Sequence, residues 1–135
     1  MRILTTIVIV DDEEEILTAL EQMLSGEGYV VKAFSSSKEA ESYLKTKTAD
    51  LAVFDIKMPE LDGFSLLKSV RVHRPSLPII FLSSKAEEQD QIIGFTLGAD
   101  DYITKPFSKH LLLFRVAAVL RRHRTQDVSE AKDLV

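Results

Sequence analysis

Five polar residues stand where apolar runs end. Asp11 and Asp12 follow TIVIV, Asp55 follows LAVF, Ser83 follows IIFL and Lys105 follows YIT. Strand interiors rarely carry a carboxylate, so an aspartate closing such a run needs a reason. If the runs are neighbouring strands of a parallel sheet, their carboxyl ends share one edge and these five side chains converge there. Three carboxylates held close repel, and their pKa values rise unless a cation holds them. Oxygen-only ligands suit a hard divalent ion, which points to Mg2+. In such a pocket Asp55 can act as a nucleophile toward phosphorus. Lys105 adds a mobile positive charge for phosphoryl oxygens, and Ser83 offers a hydroxyl to the acyl phosphate. Positioning and charge neutralisation do most of the catalysis in this chemistry.

Two alternating periods must supply that edge. Short apolar runs predict strands over 6–10, 29–33, 51–54, 79–82 and 102–104. The first, third and fourth are nearly all apolar, as strands covered on both faces are. Between them lie stripes at helical spacing. The first holds Ile16, Leu17, Leu20, Met23 and Leu24; a weaker one holds Ala40, Tyr43 and Leu44. Phe64, Leu67 and Val70 make a third, Ile92, Ile93, Phe95 and Leu97 belong to a fourth, and Leu112, Val116, Val119 and Leu120 to a fifth. Gly26 and Gly28, then Pro75 and Pro78, then Gly98 punctuate the divisions. The pattern is (βα)5, an α/β fold with a doubly wound, parallel five-stranded sheet. Ligands of such sheets bind beyond the carboxyl ends of the strands.

Composition narrows the function. The chain has 135 residues, 45% hydrophobic and 28% charged, which fits one folded domain with a real core. It has no cysteine, which removes disulfides and thiolate chemistry. No apolar run reaches membrane-span length, so no membrane partner is expected. A net charge of −4 argues against nucleic acid as a direct ligand of this segment. Arg121, Arg122 and Arg124 read as a dipole complement on a final helical turn. His73, His110 and His123 read as isolated surface residues without metal-ligand spacing. Residues 125–135 are polar and read as a tail or the start of a linker, which leaves a domain over 1–124.

Four motifs then occur in order: VIVDDE, VFDIKMPELDG, PIIFLSS and GADDYITKPF. Together they resemble a two-component response-regulator receiver domain over roughly residues 5 to 124. The resemblance implies a flavodoxin-like strand order of 2-1-3-4-5. It implies that Asp55 accepts a phosphoryl group from a sensor histidine kinase or a phosphotransfer protein, in the cytoplasm and outside the ordinary enzyme classes. Asp12, Asp55 and the backbone carbonyl of Lys57 would bind Mg2+, with Asp11 acting mainly through water. Ser83 and Lys105 would contact the phosphoryl group. Ser83 and Tyr102 would form the switch, Ser83 moving toward the phosphoryl group and Tyr102 turning inward. Lys57 and Lys85 occupy positions that tune how quickly water removes the phosphoryl group. The Lys105–Pro106 bond resembles the family's cis peptide, which proline permits.

The fifth helix carries apolar residues on two faces. Leu112, Val116 and Val119 share the core side, while Leu111, Phe114, Arg115 and Ala118 point largely away from it. GADDYITKPFS followed by an arginine resembles the subgroup of transcription regulators with a winged-helix output domain. That subgroup dimerises through its fourth helix, fifth strand and fifth helix. Asp101 and Arg115 match one of its intersubunit ion pairs. Gln91, Thr96, Leu111 and Ala117 replace charged residues usual there. The reading is therefore a more apolar contact through Ile92, Phe95, Leu111 and Phe114, with a second copy or a different partner. A degenerate receiver acting as a protein-binding module remains the alternative. A haloacid-dehalogenase-type phosphatase wants a second acid at the position of Lys57. A flavodoxin-like cofactor binder wants a phosphate-cradling loop where DDEEE stands.

Overall fold

The computed structural model describes residues 4–133, with side chains described through residue 124. Five strands alternate with five helices: β1 (Thr6–Val10), α1 (Glu14–Gly26), β2 (Val30–Phe34), α2 (Ser37–Thr46), β3 (Leu51–Phe54), α3 (Gly63–His73), β4 (Ile79–Ser83), α4 (Glu88–Thr96), β5 (Asp101–Thr104) and α5 (Lys109–Asp133). The strands form one sheet in the order β2-β1-β3-β4-β5, and every pairing is parallel. The predicted (βα)5 architecture and strand order are both present.

Side-chain alternation divides the core. Val8, Val10, Ala52, Phe54, Ile79 and Phe81 face α2, α3 and α4, together with Leu44, Leu66, Leu67 and Val70. Ile7, Ile9, Val53, Ile80 and Leu82 face α1 and α5, together with Leu17, Leu20, Leu24, Leu112, Val116 and Val119. β1, β3 and β4 are covered on both faces, which is why they lack polar alternation.

Local chemistry fixes the helix ends. The Ser36 hydroxyl accepts the Glu39 N–H at 3.2 Å, and the Asp62 carboxylate accepts the Ser65 N–H at 2.8 Å. Gly98 follows α4 with φ of +104°, where a β-carbon would be strained.

Several boundaries differ from the sequence reading. β2 runs one residue later, from Val30 to Phe34, on an edge where only one neighbour sets the register. β4 takes in Ser83, and β5 begins at Asp101. The helical backbone of α5 continues to Asp133, through most of the segment read as a tail. Residues 134–135 and the side chains of 125–133 lie outside the described residues. Among the described residues no helix is long and apolar enough to cross a membrane.

Candidate functional site

The carboxyl edge of the sheet holds the acidic pocket. Asp11 follows β1, and its backbone N–H donates to the Phe34 carbonyl of β2 at 3.1 Å. Asp55 follows β3, and its N–H donates to the Val10 carbonyl at 2.9 Å. These bonds extend the parallel ladders by one residue and set both aspartates side by side. One carboxylate oxygen from each of Asp11, Asp12 and Asp55 lies within 4.8 Å of the others. Asp11 is 1% and Asp55 4% exposed, while Asp12 is open to solvent.

The loop after β3 needs a glycine. At Gly63 a β-carbon would collide with the Asp55 carbonyl and lie 2.8 Å from the Ile56 α-carbon. With hydrogen alone there, the Gly63 N–H reaches the Ile56 carbonyl at 2.7 Å, and α3 starts beside Asp55. The Asp55 Oδ1 is held in turn by the Ile56 N–H at 2.8 Å.

Lys105 enters from the end of β5, where its N–H donates to the Ser83 carbonyl at 2.9 Å. The peptide to Pro106 is cis. Its Nζ lies 2.9 Å from Asp11 Oδ2, 3.3 Å from Glu13 Oε1 and 3.5 Å from Asp55 Oδ2. Glu13 was missed by the sequence reading; DDEEE had offered it only as one acid among five. A hollow of about 450 Å³, lined by Glu13, Ile16, Ser84, Lys105, Pro106 and Phe107, opens beside the pocket.

Burial pushes the Asp55 carboxyl above its ordinary value, and the neighbouring Asp11 charge pushes it further. Burial also raises Asp11, against the lowering pull of its Lys105 hydrogen bond. For Lys105, burial favours the neutral amine, but the Asp11 hydrogen bond and the Asp55, Asp11 and Glu13 charges outweigh it and raise the ammonium. The pocket is thus short of positive charge with one lysine present. Its oxygen-only donor set fits a hard divalent cation.

Ser83 and Tyr102 share one backbone segment. The Ser83 Oγ accepts the Lys85 N–H at 3.2 Å, and the Tyr102 hydroxyl donates to the Lys85 carbonyl. Tyr102 is only 5% exposed, so its ring already lies inward. Burial pushes its phenol up to about 12, with the charges of Asp90 and Asp55 adding to the effect and Ser83 opposing it. The side chains of Lys57 and Lys85 are exposed.

Away from the pocket, Ile92, Phe95, Leu111 and Phe114 are exposed, Phe114 by 68%. Ile93, placed on the fourth helical stripe but not among the outward contact residues, joins them at 45%. Arg115 and Asp101 pair within one chain, at 2.8 Å. His123 is not isolated: its Nε2 lies 2.9 Å from Asp100 Oδ1. The other Asp100 oxygen accepts the Ile79 N–H at 2.9 Å, and its carbonyl accepts from Arg122 at 3.3 Å. Asp100 thus ties the start of β4 to Arg122 and His123 of α5.

The family model described as the response regulator receiver domain matches residues 7–117. The alkaline phosphatase synthesis transcriptional regulatory protein PhoP of Bacillus subtilis is 45% identical over 86% of this chain and 48% of its own length. The regulatory protein VanRc of Enterococcus gallinarum is 40% identical over 96% of this chain and 55% of its own. The chain therefore spans about half the length of these relatives. The crystal structure of a CheY-like response regulator receiver domain protein from Methanospirillum hungatei superposes with a TM-score of 0.88 at 31% identity. That match covers 92% of this chain and 99% of the other.

Proposed function

The chain belongs to the response-regulator receiver family, and from that premise we propose that it takes a phosphoryl group onto Asp55 from a sensor histidine kinase or phosphotransfer protein, with Mg2+ bound. The observation that carries this reading is the set of three carboxylates within 4.8 Å of one another, with Lys105 3.5 Å from Asp55. Asp12, Asp55 and the Lys57 carbonyl would hold the ion, with Asp11 acting through water. When bound, the ion supplies positive charge to the carboxylates and to the transferring phosphoryl oxygens.

The chain's own groups do the rest. One Asp55 oxygen forms the new bond to phosphorus as the donor's phosphorus–nitrogen bond breaks, and the departing imidazole takes up a proton. The Ile56 N–H orients the carboxylate for that attack. Lys105 follows the charge from Asp55 to the phosphoryl oxygens. The Ser83 hydroxyl leaves the Lys85 N–H and donates to a phosphoryl oxygen, while Tyr102 keeps the loop inward behind it. The hollow beside Lys105 leaves an imidazole donor a way in. Exposed Lys57 and Lys85 tune the lifetime of the acyl phosphate; an unchanged rate of phosphoryl loss in a double alanine variant would end that part of the proposal.

The output follows from the face of α4, β5 and α5. Asp101 and Arg115 already satisfy one another within the chain, so the proposed contact with a second copy is chiefly apolar, through Ile92, Phe95, Leu111 and Phe114. The setting is cytoplasmic and the outcome transcription control in a longer protein. Incubation with acetyl phosphate tests the acceptor. Intact mass should rise by about 80 Da, the weight of one phosphoryl group, with Mg2+ and not without it. Asp55→Ala should gain nothing; equal gain in that variant would refute the assignment.

A further inference from the structure

We propose that Gly94 is a positioning residue: its missing side chain is the seat that lets the Tyr102 ring lie inward, and through Tyr102 it holds the loop after β4 beside Asp55. The inference rests on the phosphoacceptor reading above and concerns the regulation of that same site.

Glycine is a poor helix residue, and alanine in its place would favour α4. Yet Gly94 is the buried residue of that helix. The reason lies in what it faces. A β-carbon at Gly94 would stand 3.2 Å from Cδ2 of Phe81 and 3.2 Å from Cδ2 of Tyr102. Both distances fall inside the ordinary carbon–carbon contact of about 3.5–4.0 Å, so one neighbour must give way.

The two neighbours are not equally free. Phe81 is 0% exposed on a strand covered on both faces, and Phe64 packs edge-on against it at 5.3 Å between centroids. Tyr102 stands on β5, the last strand of the sheet, where no further strand flanks it. The tyrosine is therefore the ring that yields. A shift of a few tenths of an ångström there re-aims and stretches the hydroxyl's bond to the Lys85 carbonyl. The Lys85 N–H is bonded to Ser83 Oγ, so the disturbance reaches the residue next to the acceptor pocket. A single methyl on α4 thus acts on the loop that carries Ser83, Ser84 and Lys85.

The test uses Gly94→Ala in the full chain, with Tyr102→Ala as the background in which space is restored. In the unphosphorylated protein, the Tyr102 ring signals, assigned by Tyr102→Phe, should shift in Gly94→Ala. Phosphoryl loading by acetyl phosphate with Mg2+ should slow by about fivefold, a population shift of the size that overpacking by one methyl produces. In Tyr102→Ala the added methyl should change the loading rate no further. Unmoved ring signals, or a loading defect that persists undiminished in Tyr102→Ala, would overturn the proposal. Absence of loading in the wild type would instead count against the phosphoacceptor reading, while the ring signals would still judge the seat.

Discussion

Asp55 is almost wholly buried, beside another buried carboxylate and one ammonium. Both Asp55 and Asp11 have folded-state pKa values above the ordinary 3.8. The stability they contribute is therefore full below that value and lost as pH rises through the raised one. At neutral pH without a divalent ion, the ionised pair costs stability. Asp55→Asn keeps an acceptor for the Ile56 N–H and removes a charge. It should stabilise the protein in EDTA at pH 7 by on the order of 1 kcal/mol, or about 3 °C in Tm. Added Mg2+ should raise Tm in the wild type and much less in the variant; a lower Tm of Asp55→Asn in EDTA would contradict this account of the pocket. At this scale the sequence was highly legible, because Asp11, Asp55, Ser83 and Lys105 each interrupt or close an apolar run. Glu13 and the Lys85 backbone were not legible. One depends on the reach of Lys105, the other on two hydrogen bonds to a peptide group that any residue carries.

Elements bring those residues together, and the tightest junction is the start of α3. Gly63→Ala would force a β-carbon into the Asp55 carbonyl and the Ile56 backbone, neither of which is a flexible side chain. It should lower unfolding free energy by about 2 kcal/mol or more in urea titrations, against the gain expected from helix propensity alone. Asp62→Ala removes only the cap to Ser65 and should cost about 1 kcal/mol. A milder effect at Gly63 than at Asp62 would show that the loop relaxes. β1, β3 and β4 were readable from sequence since burial on both faces leaves no polar alternation. β2 was displaced by one residue because an edge strand shows a weaker pattern. The continuation of α5 to Asp133 was not readable, since residues 125–133 carry no apolar stripe.

The whole molecule has two working surfaces: an acidic pocket at the carboxyl ends of the strands, and a flank of α4, β5 and α5 with exposed Ile92, Ile93, Phe95, Leu111 and Phe114. An apolar contact responds weakly to salt, whereas exposed ion pairs are screened. After phosphoryl loading, sedimentation should show association that persists in high salt. Phe114→Glu should abolish it while leaving the loading rate unchanged; monomers throughout would remove the second copy as the partner. Helical period placed Leu111 and Phe114 on the outward side of α5, with Ile92 and Phe95 of α4 read as joining them, but it did not give Ile93 or the partners of the charges. Asp101 with Arg115 and Asp100 with His123 pair across elements, and only the folded sheet sets those distances. The central claim is that the sheet edge makes Asp55 the phosphoacceptor. Its most direct measurement is borohydride trapping after treatment with acetyl phosphate and Mg2+, followed by tandem mass spectrometry. Reduction of the acyl phosphate should convert residue 55, and no other acid, to homoserine. Homoserine at Asp11 or Asp12 with Asp55 intact would contradict the account.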